Sequence, residues 1–180
     1  MFVIYVQTGR EDEVLYCLRK TGYTAYVPKR ILKQRKNGIY YDIPQILFTG
    51  YVFIDAEKIT ADDYYKIRNI NGVGNFLSRT VPLSPTEEEY IKGLCNNGEV
   101  IGISKGILVN GSLRITKGFL KQYEHRIVKY SRRQHRATVE LTLYGETHRI
   151  VCGIDIETEK QHKEMALVDS LPALCRNVKI

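Results

Sequence analysis

The sequence predicts an α+β chain in two parts, a sandwich of sheet and helices followed by a small β-barrel, and three observations carry that prediction. Stretches of strand and helix character alternate through the first half of the chain. The run Leu47-Phe48-Thr49-Gly50-Tyr51-Val52-Phe53-Ile54 is apolar on both faces apart from Thr49, as a strand at the centre of a covered sheet must be. After Asn96-Asn97-Gly98 helical periodicity stops, and glycine recurs at 98, 102, 106, 111, 118, 145 and 153 between short strands.

The elements follow in order. Residues 2–7 form a β-rich run. In the segment after it, Val14, Leu15 and Leu18 make a helical apolar face; Glu11, Asp12 and Glu13 open this helix and Arg19 and Lys20 close it before Gly22, each charge matching its end of the helix dipole. Residues 23–27 are extended until Pro28, and residues 30–37 read as a basic loop that turns at Asn37-Gly38. Residues 39–43 and 46–55 read as antiparallel partners. A second helix spans 61–70 and ends at Asn71-Gly72, and a short strand covers 73–77. Ser84, Pro85 and Glu87 offer an N-cap, a first-turn proline and a third-position acid for a helix over 87–96. The order β-α-β-β-β-α-β-α is that of a ferredoxin-like sandwich over residues 1–97. Residues 98–110 then read as a linker. Strands at 113–116, 126–130, 137–144 and 148–152 build an SH3-like barrel over 111–157, and residues 158–180 form a tail. The β-branched residues of 137–144 argue against a helical alternative there.

Composition narrows the chemistry. The chain has 180 residues, is 43% hydrophobic and 26% charged, and carries a net charge of +7, which favours a polyanionic partner. Acidic residues are absent from Val14 to Tyr41, a window that holds Arg19, Lys20, Lys29, Arg30, Lys33, Arg35 and Lys36. A second cluster, which includes Lys129, Arg132, Arg133 and Arg136, is opposed only by Glu124. Composition alone fits solvated surfaces equally well. Cys17, Cys95, Cys152 and Cys175 are scattered singly, as expected of reduced thiols in a cytoplasmic protein, and no signal peptide or membrane-length apolar run is present. The four histidines have no carboxylate pair beside them, and no nucleotide, zinc-protease or hydrolase motif occurs, so neither an enzyme nor a metal or cofactor site is expected.

Specific strings carry a resemblance. Tyr5 in the first strand, the Thr8-Gly9 turn into a helix, Val27-Pro28, the strand Phe48 to Ile54, Gly72-Val73, and Pro82-Leu83-Ser84 ahead of an acidic helix resemble, in order, the amino-terminal (NGN) domain of NusG proteins. The stretch 113–156 looks like a KOW domain of the same family, closest to that of the specialised LoaP-type paralogs. Phe119 stands where such a motif usually has proline, and Gln122 and His125 where it has glycine, so the loop there must be built differently; Thr49 also replaces a common proline. A left-handed His125 would cost about 1 kcal/mol or more.

The resemblance implies a cytoplasmic transcription elongation and antitermination factor. It would bind the clamp helices of the largest RNA polymerase subunit through some of Tyr5, Phe48, Tyr51 and Phe53, as a monomer, away from membranes. A nucleic-acid signal, a nascent leader RNA hairpin or DNA, would recruit it through Arg19, Lys29, Arg30, Lys33, Arg35 and Lys36, with Lys129, Arg132, Arg133 and Arg136 as a second surface. Strand alternation puts Tyr51 and Phe53 on one face and Val52 and Ile54 on the other. The alternative is a structured-RNA or ribosome-associated binding protein of KOW type with no polymerase contact; a housekeeping NusG is disfavoured by Phe119, Gln122 and His125.

Overall fold

The computed structural model describes residues 1–78, 81–95 and 100–158. The asparagine-glycine step at 96–98 and the tail beyond 158 lie outside them. Within them the order is β1 (Phe2–Val6), α1 (Glu11–Lys20), β2 (Ala25–Tyr26), β3 (Lys29–Lys36), β4 (Ile39–Ile46), β5 (Tyr51–Ile54), α2 (Ala61–Arg68), β6 (Val73–Phe76), α3 (Pro85–Cys95), β7 (Ser104–Val109), β8 (Ser112–Lys117), β9 (Ile127–Ser131), β10 (Arg136–Leu143) and β11 (Glu146–Thr158).

The first sheet has the order β2-β5-β1-β6, so the apolar run expected at the centre does lie between two partners. Its two faces separate as alternation requires. Val52 and Ile54 join Phe2, Ile4 and Val6 under Val14 and Leu18 of α1 and Ile67 of α2. Met1, Val3 and Phe53 point the other way, into a second core shared with Ile91 and Leu94 of α3 and with Leu120, Val139, Leu141 and Ile154 from the later part of the chain. One face of the first sheet is thus covered by helices and the opposite face by α3 and the second sheet.

Three local expectations need correction. Residues 30–36 are not a loop but strand β3, paired along its length with β4 and turning at Asn37-Gly38, both at positive φ as a tight hairpin turn requires. The partner of residues 39–43 is therefore β3 and not the central strand, which pairs with β1 and β2 instead. Residues 104–109, read as linker, form β7, which pairs with β8 and lies parallel to the end of β11. The helix predicted from residue 87 begins at Pro85, and its cap is as expected: the Ser84 N–H and Oγ donate to Glu87 Oε2 at 2.9 and 2.7 Å.

The second sheet has the order β8-β7-β11-β10-β9. Strand β11 changes partner midway, pairing with β10 through Gly153 and with β7 from Ile154 onward. Its outer strands β8 and β9 do not pair with each other, so the closed SH3-like barrel is not established and a curled five-stranded sheet stands in its place. The loop that departs from the KOW pattern is rebuilt around Gly118 at φ +97°, where an added Cβ would lie 2.8 Å from the Ser104 Cα. Two 3₁₀ turns follow, Phe119–Lys121 and Glu124–Arg126, and His125 sits in the second rather than in a left-handed position.

Candidate nucleic-acid interface and aromatic cleft

The basic strand β3 alternates its side chains, and β4 opposite it supplies tyrosines: Gln34 faces Tyr41 and Arg35 faces Tyr40. The Arg35 guanidinium lies 5.8 Å from the centre of the Tyr40 ring, a cation–π contact that holds it over the hairpin. Beneath, β3 lies close against β11. A Cβ on Gly153 would stand 2.5 Å from the Ile31 carbonyl oxygen, so only glycine permits this approach.

That approach joins the two basic clusters. Lys33 Nζ lies 3.1 Å from Asp155 Oδ2, and Asp155 Oδ1 is 2.7 Å from His135 Nδ1. The Tyr40 ring stands edge-on to His135 at 4.9 Å, and its hydroxyl donates to the Arg133 carbonyl at 3.4 Å. Lys33, Arg35 and Lys36 on the hairpin therefore neighbour Arg132, Arg133 and Arg136 on the second sheet, with Arg35, Lys36, Lys129, Arg132 and Arg133 exposed. Arg30 and Arg136 are half-buried in the seam.

Two residues of the first cluster are engaged elsewhere. Arg19 donates from Nε and Nη2 to the Ala25 carbonyl, tying the end of α1 to β2, and Lys29 pairs with Asp12 at 2.8 Å. They line a separate groove with Leu15, Tyr26 and Val27.

The four aromatic residues surround a cleft of about 230 Å³ between the first sheet and the β10–β11 turn, completed by Leu77, Leu83, Leu143, Tyr144, Glu146 and His148. Tyr5 and Tyr51 stand at its open side: Tyr5 is 44% exposed, and the two hydroxyls share a 2.8 Å hydrogen bond. That bond, with burial second, pushes the Tyr51 phenol up to about 12, so it stays neutral and able to donate. Phe53 and Phe48 are only 1% and 8% exposed and pack on each other edge to face. Their surface belongs to the core between the sheets.

Sequence reasoning missed several residues of these sites. Tyr40, His135 and Asp155 bring the clusters together, and the signal available was the Tyr40-Tyr41 pair just past a hairpin turn. Buried Glu11, 1% exposed, accepts from the Gly50 N–H at 2.8 Å and fixes the loop that leads into β5. Nothing local in the sequence marks that contact.

Fold and site together define a mixed α/β protein with one helix-covered sheet face, an aromatic cleft on the other and a basic surface on a projecting hairpin. A family model described as "Transcription termination factor nusG" matches residues 1–93, just over half of the chain, and the chain belongs to the NusG family. The family is one of transcription factors rather than enzymes. No curated protein matches the chain.

Proposed function

We propose that this chain is a transcription elongation and antitermination factor, a specialised paralog of LoaP type, that binds the clamp helices of RNA polymerase through the aromatic side of its first sheet. The observation that carries the reading is the pair Tyr5 and Tyr51, held together by their hydroxyl bond at the mouth of an apolar cleft, with Tyr5 44% exposed. Exposed aromatics preorganised on a rigid sheet are suited to anchor a protein partner. Phe48 and Phe53 line the same cleft, largely buried.

The factor acts without bond chemistry. A ligand that binds the closed polymerase clamp more tightly than the open one shifts the population toward closed by that difference in affinity, which opposes pausing and termination. Recruitment to particular operons comes through the basic surface of β3 and the β9–β10 turn, whose arginines suit phosphate contact and stacking on the splayed bases of a leader RNA.

The test is retention of the chain by nuclease-treated core polymerase. An apolar anchor survives moderate salt, whereas a complex held by bridging RNA does not survive nuclease. Loss on nuclease treatment would leave a structured-RNA binding protein.

A further inference from the structure

Arg30 and Arg136 are both half-buried in the seam between the hairpin and the second sheet. Arg30 extends from β3 and Arg136 begins β10, opposite Gly153 of β11, the residue on which an added Cβ would stand 2.5 Å from the carbonyl of Ile31, the neighbour of Arg30. The Nε atom of each is buried and has no hydrogen-bond partner among the described residues. Among the described residues neither guanidinium is paired with a carboxylate; Asp155, the nearby acid on β11, is taken by Lys33 and His135. Burial lowers the affinity of Arg30 for its proton, with the buried Cys152 acting in the opposite sense and the charge of Arg136 lowering it further. Cys152 is no counter-ion, because burial pushes its thiol up to about 12 and keeps it neutral.

Two half-buried cations with no counter-ion among the described residues, each with an unsatisfied N–H donor, are a costly arrangement in an isolated protein. An anion with several acceptor oxygens removes both costs at once, and a phosphate matches the forked geometry of two guanidiniums. The exposed Arg35, Lys36, Arg132 and Arg133 lie on the elements either side of the seam, so a phosphate seated in it has basic residues flanking it in both directions along a chain.

We propose that a phosphate group of a nucleic-acid backbone seats between Arg30 and Arg136, so that the hairpin and the second sheet grip one strand together and its binding holds the two halves of the molecule in this arrangement. This rests on the nucleic-acid part of the reading above and goes beyond it by making the two basic clusters a single site with a shared phosphate at its centre.

The experiment measures binding of a fluorescent RNA hairpin to the full chain by anisotropy, and melting temperature with and without that RNA or inorganic phosphate. Arg30→Gln and Arg136→Gln are compared singly and together, with Lys36→Glu/Arg133→Glu as the control for the outer surface. One shared phosphate predicts a loss of about tenfold in RNA affinity for either single variant and little more for the double. It also predicts that Arg136→Gln raises the melting temperature of the RNA-free protein, since a half-buried charge without a counter-ion is gone, and shrinks the rise produced by RNA. Additive losses in the double variant, or RNA affinity unchanged in both singles while the control falls, would overturn the shared site and leave the outer basic surface standing. A rise with inorganic phosphate but unaltered RNA affinity in the variants would assign the seam to free phosphate and overturn the proposal. No loss in the control either would overturn the nucleic-acid reading itself.

Discussion

The hydroxyls of Tyr5 and Tyr51 lie 2.8 Å apart across adjacent strands, with their rings 4.7 Å apart, because β1 and β5 are in a register that sets these two residues directly opposite. Cross-strand aromatic pairs of this kind stabilise a sheet face and fix the rings in place. Two residues further along β5, Phe53 is opposite Val3 and faces the interior. The same alternation therefore yields an accessible pair at one end of the strand and a buried ring at the other.

This difference separates contact from folding. Phe53→Ala removes a fully buried ring and should cost about 3–5 kcal/mol. Tyr5→Ala, at a half-exposed position, should cost about 1 kcal/mol or less. Urea denaturation of the two variants checks both values; equal losses would mean that the Tyr5 ring is as much a part of the core as Phe53.

The glycine at 153 is required by the approach of β3 to β11. Gly153→Ala places a methyl group 2.5 Å from the Ile31 carbonyl, where backbone and not a flexible side chain must move. The expected loss is about 1–3 kcal/mol, accompanied by weaker protection of β3 amides in hydrogen exchange. A variant as stable as wild type would show that the hairpin does not rest on the second sheet.

Glu87 gives the fold an acid-sensitive joint. Burial raises its proton affinity, but hydrogen bonds from the Ser84 side chain and backbone and from the backbone of Tyr144 and Gly145 outweigh it, so its carboxyl titrates below the ordinary 4.5. A depressed carboxyl contributes stability that is fully present above its unfolded value and is lost as pH falls through the folded one. Glu87→Gln should therefore lower stability at neutral pH and flatten the decline below about pH 4.5. Denaturation midpoints measured from pH 7 down to the acid limb test this; a decline of unchanged steepness would contradict it.

Charge reversal on the hairpin should depend on position. Arg35→Glu/Lys36→Glu alters exposed side chains and should change stability by no more than about 0.5 kcal/mol, while weakening RNA binding and reducing its salt dependence. Lys33→Glu instead sets a carboxylate beside Asp155 and should destabilise the seam. If Arg35→Glu/Lys36→Glu binds RNA as wild type does, the hairpin is no part of the nucleic-acid surface.

Most of the first sheet was legible because its signals are local: alternating strands, charges matched to helix ends, and a capping pair at Ser84 and Glu87. The hairpin was misread because its charge density resembles a loop. What makes 29–36 a strand is cross-strand pairing with Tyr40 and Tyr41, and the packing of Leu32, which depend on a partner. Strand β7 was misread because Gly102 and Gly106 suggest a linker. At Gly106 an added Cβ would lie 3.0 Å from the Arg114 carbonyl, so that glycine serves close strand packing rather than freedom. The site residues could be named as types, but the seam of Arg30 with Arg136 joins positions more than a hundred residues apart, and no local pattern announces it.

The polymerase contact is tested most directly by retention of the purified chain on immobilised, nuclease-treated core RNA polymerase at moderate salt, comparing wild type with a Tyr5→Ala/Tyr51→Ala variant whose fold is confirmed by its denaturation curve. Wild type should be retained and the variant lost. Failure of wild type to be retained, or equal retention of the folded variant, would contradict a polymerase contact made through the tyrosine pair.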